Sequence, residues 1–321
     1  MTFKRPCDRI CHGVICVFNE EIKERYLQES MANKGTIMAL EHLYEAEEIT
    51  EKELCSMDRN EAIKAVGLIC GYDLHSINNT ISCWKSYARW CYDNGYFKNE
   101  KYGILGISAS NINPQEYIRE YVFQTEEELF NSIKSVTQIH EGYISVIACV
   151  FAWIGIGEPL EIHDKDISID KREIACNGNI IVNGFSDAVF NYLLEYSKLE
   201  ETTRENGMME YTVVKDHSYD LFIKRFCSPR SSKLGKPITS RMITNAINKL
   251  NQKYESAGNP PRITYTNILK SGSLNRLYNA EINGLKVFDK DNEEIVKSYF
   301  YRSNYRSIIW LYRHYKQAFN L

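Results

Sequence analysis

The sequence predicts a mainly α-helical protein with one small antiparallel β-sheet, divided into two helical domains. Apolar residues recur at helical spacing through much of 35–97 and 239–319. At 166–183 the pattern changes to two short apolar runs on either side of Asn177-Gly178, which is a strong hairpin signal. Residues 98–124 contain glycine, serine and proline with little periodicity, which is typical of a linker.

These patterns set the expected domain boundaries. Residues 1–34 form an N-terminal segment, and 35–97 form a first domain of three or four helices. The linker at 98–124 leads to a second helical domain at 125–321, which holds the sheet. Two domains are consistent with a chain of 321 residues.

Capping residues mark several helix ends. Thr50 followed by Glu53 is placed to open a helix with a capping box, and Gly95 is placed to cap the end of the next one. Thr125 before three glutamates opens the second domain, and Ser186 opens the helix after the hairpin. Further segments follow from the same patterns: helices at 129–136, 141–153, 186–196, 239–254, 265–278, 291–299 and 304–319, and a third strand at 221–226.

Composition indicates a globular protein of the cytoplasm. The chain is 44% hydrophobic and 25% charged, which excludes a disordered polymer. The longest apolar run, around 143–156, is too short to span a bilayer, and the N-terminus lacks the apolar core of a signal peptide. Several of the ten cysteines sit among apolar residues, as reduced buried thiols do. We therefore expect no membrane association.

One cysteine cluster has the density of a metal site. It consists of Cys7, Cys11, His12 and Cys16. The spacing is not that of a usual zinc knuckle, and no second ligand pair follows at the usual distance. We therefore expect no metal and no cofactor.

The net charge of −3 hides an asymmetry along the chain. Residues 211–321 contain 19 Lys/Arg and 8 Asp/Glu, a net charge of +11, so residues 1–210 carry −14. Such segregation favours a polyanionic partner, above all nucleic acid, for the C-terminal third. The alternative is that the two parts of the chain attract each other.

The layout and several segments resemble the tyrosine recombinases, or phage integrases. HSINNTI through WCYDNG at 75–95 resembles the helix that lies against DNA in their core-binding domain. FAWIGIGEPLE at 151–161, followed by Asp166-Ile167, resembles the first catalytic box and strand, and ITYTNILKSG at 263–272 resembles the second box. The resemblance covers most of 37–321. It implies a tyrosine-recombinase fold, with a core-binding domain at 35–97 and a catalytic-like domain at 125–321.

Strand cleavage in that family needs a tyrosine nucleophile, two arginines that hold the phosphate, and acid–base groups. This chain departs from the pattern at its arginines. The first arginine position falls on Gly157 or Glu158, and a glutamate there would repel phosphate. The His-x-x-Arg pair becomes Asn267 and Lys270, and lysine does not reproduce the arginine fork.

The remaining catalytic positions depart as well. The β-turn that should carry lysine is Asn177-Gly178, with Lys171 one turn earlier, and the later His or Trp falls near Ser303 or Asn304. Only a tyrosine, Tyr312 or Tyr315, remains. The resemblance therefore implies a fold whose catalytic site is vestigial, with three candidate remnants: Lys171, Lys270 and Tyr312.

A narrower resemblance is to the repressor branch of this fold, typified by the lytic-cycle repressors of SPbeta-type prophages. It rests on the SGxxNRxYNxE stretch at 271–281 and on the missing catalytic groups. It implies specific operator binding that silences phage genes in a bacterial host cell.

A basic run at 224–241, interrupted by serine, glycine and proline, is the main candidate DNA surface, because 221–254 contains no acidic residue. Arg241 and Asn245, four apart on one helix, are placed to reach guanine and adenine edges, or else to contact phosphate or solvent. The full set of candidate DNA-binding residues is Asn78, Thr80, Lys85, Lys224, Arg225, Arg230, Lys233, Lys236, Arg241, Asn245, Lys270, Asn275 and Arg276.

Three hypotheses follow. The favoured one is a non-enzymatic transcriptional repressor that binds double-stranded operator DNA, with any protein regulator unknown. The second is an active integrase that cleaves DNA through Tyr312. The third is a helical module whose acidic N-terminal part binds a protein partner, and it predicts no salt-dependent affinity for DNA.

Overall fold

The computed structural model describes residues 19–31, 33–70, 74–96, 103–176, 179–206, 209–228, 231 and 233–321. The chain divides into two compact units, Met1–Pro114 and Gln115–Leu321. The cysteine–histidine cluster considered as a metal site lies outside the described residues.

The first unit is a helical bundle. Its helices are α1 (Glu20–Glu29), α2 (Lys34–Thr50), α3 (Arg59–Cys70) and α4 (Leu74–Asp93), with 3₁₀ turns at Leu54–Ser56, Gly103–Gly106 and Ala109–Asn111. Helices α2, α3 and α4 pack against one another. The ring of Trp84 is fully buried, and its Nε1 donates to the carbonyl of Ala39 at 2.7 Å, which ties α4 to α2.

Two expectations for this unit are corrected. Thr50 ends α2 rather than opening the next helix, and its hydroxyl donates to the carbonyl of Ala46 at 2.7 Å. Helix α1 lies in the segment set aside as an N-terminal extension. It belongs to the bundle because it buries Tyr26 and Lys23, and the Lys23 ammonium pairs with the buried carboxylate of Glu47. Gly95 ends α4 with a positive φ of 74°, as predicted.

The second unit is built around one apolar helix. Its helices are α5 (Gln115–Tyr121), α6 (Glu126–Lys134), α7 (Ile139–Trp153), α8 (Asp187–Lys198), α9 (Ser240–Ser256), α10 (Tyr265–Ile282), α11 (Glu293–Ser298) and α12 (Tyr305–Phe319). Helix α7 is buried from Ser145 to Trp153 and packs against α8, α9 and α10. The predicted N-caps are confirmed, since Thr125 and Ser186 accept from backbone N–H groups three residues on. Helix α5, inside the predicted linker, packs against α12.

Two three-stranded antiparallel sheets complete this unit, where the sequence predicted one. The first contains β1 (Ile167–Ser168), β2 (Glu173–Cys176) and β3 (Asn179–Asn183), and the predicted hairpin is confirmed by the pairing of Cys176 with Asn179. The second contains β4 (Glu201–Asn206), β5 (Met209–Lys215) and β6 (Phe226–Cys227). The strand expected at 221–226 is wrong except for its last residue. Leu221 forms only an isolated bridge to His163, and the chain then turns inward to bury Lys224.

The described residues are therefore mainly α-helical with small antiparallel sheets, as predicted. None of their helices has the length and apolar character needed to cross a membrane.

Candidate nucleic-acid interface

The outer face of α4 carries short polar side chains and one arginine. The inner face is fixed by buried apolar residues such as Ile77, Trp84 and Cys91. The exposed positions follow at helical spacing: His75, Asn78, Asn79, Ser82, Ser86 and Arg89. No acidic side chain occurs on α4 before Asp93. Such a face approaches phosphates without repulsion and offers hydrogen bonds to base edges.

The three candidates predicted on α4 occupy different environments. Asn78 is exposed on the outer face, and its amide donates to the carbonyl of Leu74 at 2.9 Å. Lys85 is half-buried at the edge of that face. Thr80 is 2% exposed, because it lies three residues after Ile77 and four before Trp84 on the core side of the helix. Its assignment as a DNA contact is therefore corrected to a core position.

Lys224, the first residue of the predicted basic run, is also internal. Its side chain is 4% exposed, and the ammonium donates to the Asp164 carboxylate at 2.6 Å and to the carbonyls of Leu221 at 2.6 Å and Tyr219 at 3.1 Å. These three acceptors use all its N–H groups. Lys224 is thus a structural residue and not a phosphate contact.

The other cations of the basic run that the structure describes reach the surface. Lys233 and Lys236 are exposed, Arg225 is half-buried, and Arg230 lies outside the described residues. The Nε of Arg225 is buried without a hydrogen-bond partner in the part of the chain that is described.

Asp216 anchors the loop that carries these cations. Its carboxylate accepts from the backbone N–H of Gly235 at 2.7 Å and of Ser218 at 3.0 Å. Gly235 has a φ of 79°, a conformation that glycine adopts at no steric cost. Burial opposes ionisation of Asp216, but the hydrogen bonds outweigh it and hold the pKa below its usual value. An ionised carboxylate therefore holds the backbone at Gly235, between Lys233 and Lys236.

Helix α9 presents a polar face that has no acidic residue before Glu255. Ile243, Ile247, Leu250 and Tyr254 are buried and fix its inner face. The opposite positions are exposed: Arg241, Thr244, Asn245, Asn248, Lys249 and Gln252. Within the described residues, the amides of Asn245, Asn248 and Gln252 make no side-chain hydrogen bond. By contrast, the Asn251 side chain is engaged, because it accepts from the N–H of Ile263 at 3.0 Å.

The sequence pointed to Arg241 and Asn245 but missed Thr244, Asn248 and Gln252 on the same face. The signal for them is the continued spacing of three, four and seven residues from Arg241 and Asn245, combined with the lack of acidic residues up to Glu255. On α4, the sequence also missed four exposed positions that the same helical spacing connects to Asn78: Asn79, Ser82, Ser86 and Arg89.

Two residues of α10 that were predicted to contact DNA, Asn275 and Arg276, form hydrogen bonds within the second unit. The guanidinium of Arg276 donates to the carbonyl of Trp153 at the end of α7. It also packs against Gly155, where a Cβ atom would lie only 2.5 Å from Nη2 of Arg276. Burial lowers the pKa of Arg276 to about 10, so it stays charged at neutral pH. The amide of Asn275 donates to the carbonyl of Gln124 at 3.0 Å. Both side chains are half-buried and engaged by carbonyl groups of the same unit.

Tyr312, the candidate nucleophile, is fully buried on α12. Its hydroxyl donates to the Glu281 carboxylate at 2.6 Å, and the same carboxylate accepts from the Lys316 ammonium at 2.9 Å. Burial, and then the hydrogen bond to Glu281, raise the pKa of Tyr312. Tyr315 is equally buried, with its hydroxyl 3.3 Å from the carbonyl of Gln124. Neither tyrosine presents its oxygen to solvent.

The surface at Gly157 and Glu158, the residues expected from the sequence at the first arginine position, is covered from within the unit. A Cβ on Gly157 would lie 2.3 Å from the ring of Tyr301, so this ring covers the glycine. The Tyr301 hydroxyl donates to the Glu158 carboxylate at 2.6 Å, and the guanidinium of Arg302 lies 3.7 Å from that carboxylate. A carboxylate and an aromatic ring therefore occupy the surface around Gly157.

Lys171 and Lys270, the other two expected catalytic remnants, lie on different elements. Lys171 is exposed in the turn between β1 and β2, and Asn177-Gly178 lies outside the described residues. Lys270 is half-buried on α10, three residues after Asn267. In the part of the chain that is described, no three His, Cys, Asp or Glu side chains are grouped to hold a metal ion.

Comparison with protein families gives one match. Residues 17–93 match the family model "MrpR, N-terminal core-binding domain". The matched region contains α1 to α4 and so includes the outer face of α4 described above. Among curated proteins, none matches significantly.

Solved structures similar to this chain come from recombinases and integrases. The Tn1549 transposon integrase in complex with transposon right end DNA has 14% identity, covers 91% of this chain and 93% of its own, and gives a TM-score of 0.40. The XerA recombinase has 12% identity, 91% coverage of both chains and a TM-score of 0.39. A lambda integrase dimer bound to a COC′ core site has 12% identity, coverage of 91% and 76%, and a TM-score of 0.37.

Proposed function

We propose that this protein binds specific sites in double-stranded DNA without cleaving them, and that it acts as a prophage transcriptional repressor. We infer the absence of cleavage from the position of Tyr312, whose hydroxyl is buried and hydrogen-bonded to Glu281. A nucleophile must reach phosphorus and lose its proton, and both requirements are opposed here.

The electrostatics of the neighbouring positions support the same proposal. A cleavage site needs guanidiniums placed for the phosphate oxygens as negative charge develops. The sequence resemblance aligns Glu158 or Gly157 with one such position and Lys270 with the other, and lysine does not reproduce the arginine fork. Arg276, the arginine of α10, donates a hydrogen bond to the carbonyl of Trp153.

DNA binding is supported separately by two surfaces. The outer face of α4 lies in the region that matches the core-binding domain, and it is polar and free of acids up to Asp93. The outer face of α9 combines Arg241 and Lys249 with exposed amides and hydroxyls. Phosphate contacts give affinity, and amides or arginine at base edges give sequence preference.

A suicide-substrate assay tests the proposal. The binding site is first selected from random duplexes with the full chain, and the selected duplex is nicked and labelled. We expect a shifted band on a native gel and no covalent band on a denaturing gel. We further expect Tyr312→Phe to bind as tightly as the wild type, because its hydroxyl does not face DNA.

Tyr305→Phe is the matched control for loss of a tyrosine hydroxyl on α12, since Tyr305 donates to backbone carbonyls. A covalent adduct that persists in Tyr305→Phe and disappears in Tyr312→Phe would establish an active recombinase and refute the proposal. Failure to select or shift any duplex, even at low salt, would leave the protein-partner hypothesis in its place.

A further inference from the structure

A cleft in the second unit combines three cations with a mixed polar and apolar wall. Its volume is about 470 Å³, within the range of small-molecule sites. It lies between the start of α7, strand β4 and the side of α9. The charged lining residues are Arg204, Lys249, Lys253 and Glu141, which leaves a net charge of +2.

Arg204 is the best-positioned of the three cations. Its Nη2 donates to the hydroxyl of Tyr143 at 2.5 Å, and Tyr143 is 3% exposed, so a buried group orients an exposed guanidinium. Burial raises the pKa of Tyr143, and its hydroxyl therefore leaves the charge of Arg204 uncompensated. Among the described residues, no carboxylate lies within ion-pair distance of Arg204.

The opposite wall of the cleft is formed by α9. Lys249 and Lys253 are four residues apart and therefore lie on one side of the helix, and both are exposed without an ion pair in the described parts of the chain. Asn245 adds an amide to the same wall, and Met242 and Leu250 add apolar surface. Three cations from two elements thus converge on one concavity.

Helix α7 is interrupted at Gly142, where it lines the cleft. Gly142 interrupts the helix with φ −113° and ψ 30°. A Cβ at Gly142 would lie 2.9 Å from Oγ1 of Thr137 and 3.2 Å from Oγ of Ser145, so a larger residue would displace these hydroxyls. Both hydroxyl-bearing residues line the cleft and add neutral polar groups to it.

We propose that this cleft binds a phosphate group, with Arg204 as the fork that grips two of its oxygens and Lys249 and Lys253 as point charges opposite. Arginine matches phosphate geometry bidentately, and lysines add charge without fixed orientation. Two sources present this chemistry: a phosphorylated small molecule that fills the cleft, and a backbone phosphate of DNA bound along α9. The phosphate site stands on its own geometry, whichever source supplies the ligand.

Titration of the full chain with inorganic pyrophosphate and with duplex DNA tests the site. Arg204→Gln removes the fork, and Arg306→Gln is the control, because Arg306 is an exposed arginine of α12 outside the cleft. We expect Arg204→Gln to lower the affinity for the phosphate ligand about tenfold or more, with no change in Arg306→Gln. The double variant Lys249→Gln/Lys253→Gln, on a different element, is expected to act in the same direction.

The pattern of losses identifies the source of the phosphate. If only pyrophosphate binding is lost in Arg204→Gln and DNA binding is kept, the ligand is a small phosphorylated molecule. If DNA affinity falls and its salt dependence weakens by about one phosphate contact, the ligand is the DNA backbone. If Arg204→Gln and Arg306→Gln behave alike toward both ligands, the cleft is not a phosphate site. The pyrophosphate arm does not depend on DNA binding, so it remains informative if the proposed function fails.

Discussion

Lys224 and Lys233 belong to the same basic segment and have opposite environments. Lys224 is enclosed and satisfied by three oxygen acceptors, whereas Lys233 is exposed with no carboxylate partner among the described residues. Sequence alone does not separate them, because both are lysines in a run without acids. The separation comes from Asp164, sixty residues earlier, which receives the ammonium of Lys224.

A pair of substitutions distinguishes the two roles. We expect Lys224→Met to lower the free energy of unfolding by about 2–3 kcal/mol, because it leaves internal carbonyl groups without a charged donor. We expect Lys233→Met to leave stability unchanged and to reduce the salt slope of DNA binding by about 1. Urea titration and gel shifts over a salt series measure both. If Lys224→Met kept its stability and lost DNA affinity, the assignment of Lys224 as structural would be refuted.

At the scale of single elements, the sequence predicted those with strong local signals. Helices α6 and α8 carry N-caps at Thr125 and Ser186, and α9 has a clear apolar stripe, so their positions were recovered. Strands β4 and β5 were not predicted, because their pairing joins polar residues such as Thr203 and Thr212 and leaves little alternation to detect. Helix α1 was missed because its stability comes from contacts with α2 and α4 rather than from its own pattern.

The candidate site was predicted only where a local sequence pattern determines whether a side chain is exposed. Exposure on α9 follows from a periodic helix, so Arg241 and Asn245 were correctly placed on its outer face. The internal roles of Asn275 and Arg276 depend on the carbonyls of Gln124 and Trp153, which are more than a hundred residues away. No local pattern reports such contacts.

Helix α9 is expected to supply sequence preference more than bulk affinity. Asparagine at a base edge contacts adenine through two hydrogen bonds, and each such contact contributes roughly 1–3 kcal/mol of discrimination. We expect Asn245→Ala and Asn248→Ala to weaken binding to the selected duplex and to leave binding to a random duplex unchanged. Competition gel shifts with the two duplexes measure the ratio.

Asn251→Ala is the control within the same helix. Its side chain accepts from the N–H of Ile263, so the variant is expected to lose stability and keep the specificity ratio. Equal ratios in all three variants would show that α9 does not read bases.

The basic residues behind the charge asymmetry fall into two groups: those that pair with carboxylates of the same unit, and those that are exposed without such a partner among the described residues. Residues 115–210 hold 18 acidic and 7 basic residues, so the acidic segment lies mostly in the same unit as the basic one. Some basic residues pair with it, as Lys224 does with Asp164, Arg262 with Glu128 and Lys215 with Glu200. Internal attraction therefore accounts for part of the asymmetry. The exposed cations of α9 and of the loop before it have no such partners among the described residues, and they form the surplus available to a polyanion.

This surplus of exposed cations should make DNA binding strongly dependent on salt. With about six phosphate contacts, the affinity for the selected duplex should fall roughly 10³-fold between 50 and 200 mM salt, because each contact releases condensed counterions. The paired cations should add nothing to this slope, since their carboxylate partners already neutralise them. Lys236→Gln should therefore flatten the slope, and Arg262→Gln should leave it unchanged while lowering stability through the lost Glu128 pair. A flat salt response in the wild type would mean that internal pairing consumes the whole asymmetry and that DNA is not the partner.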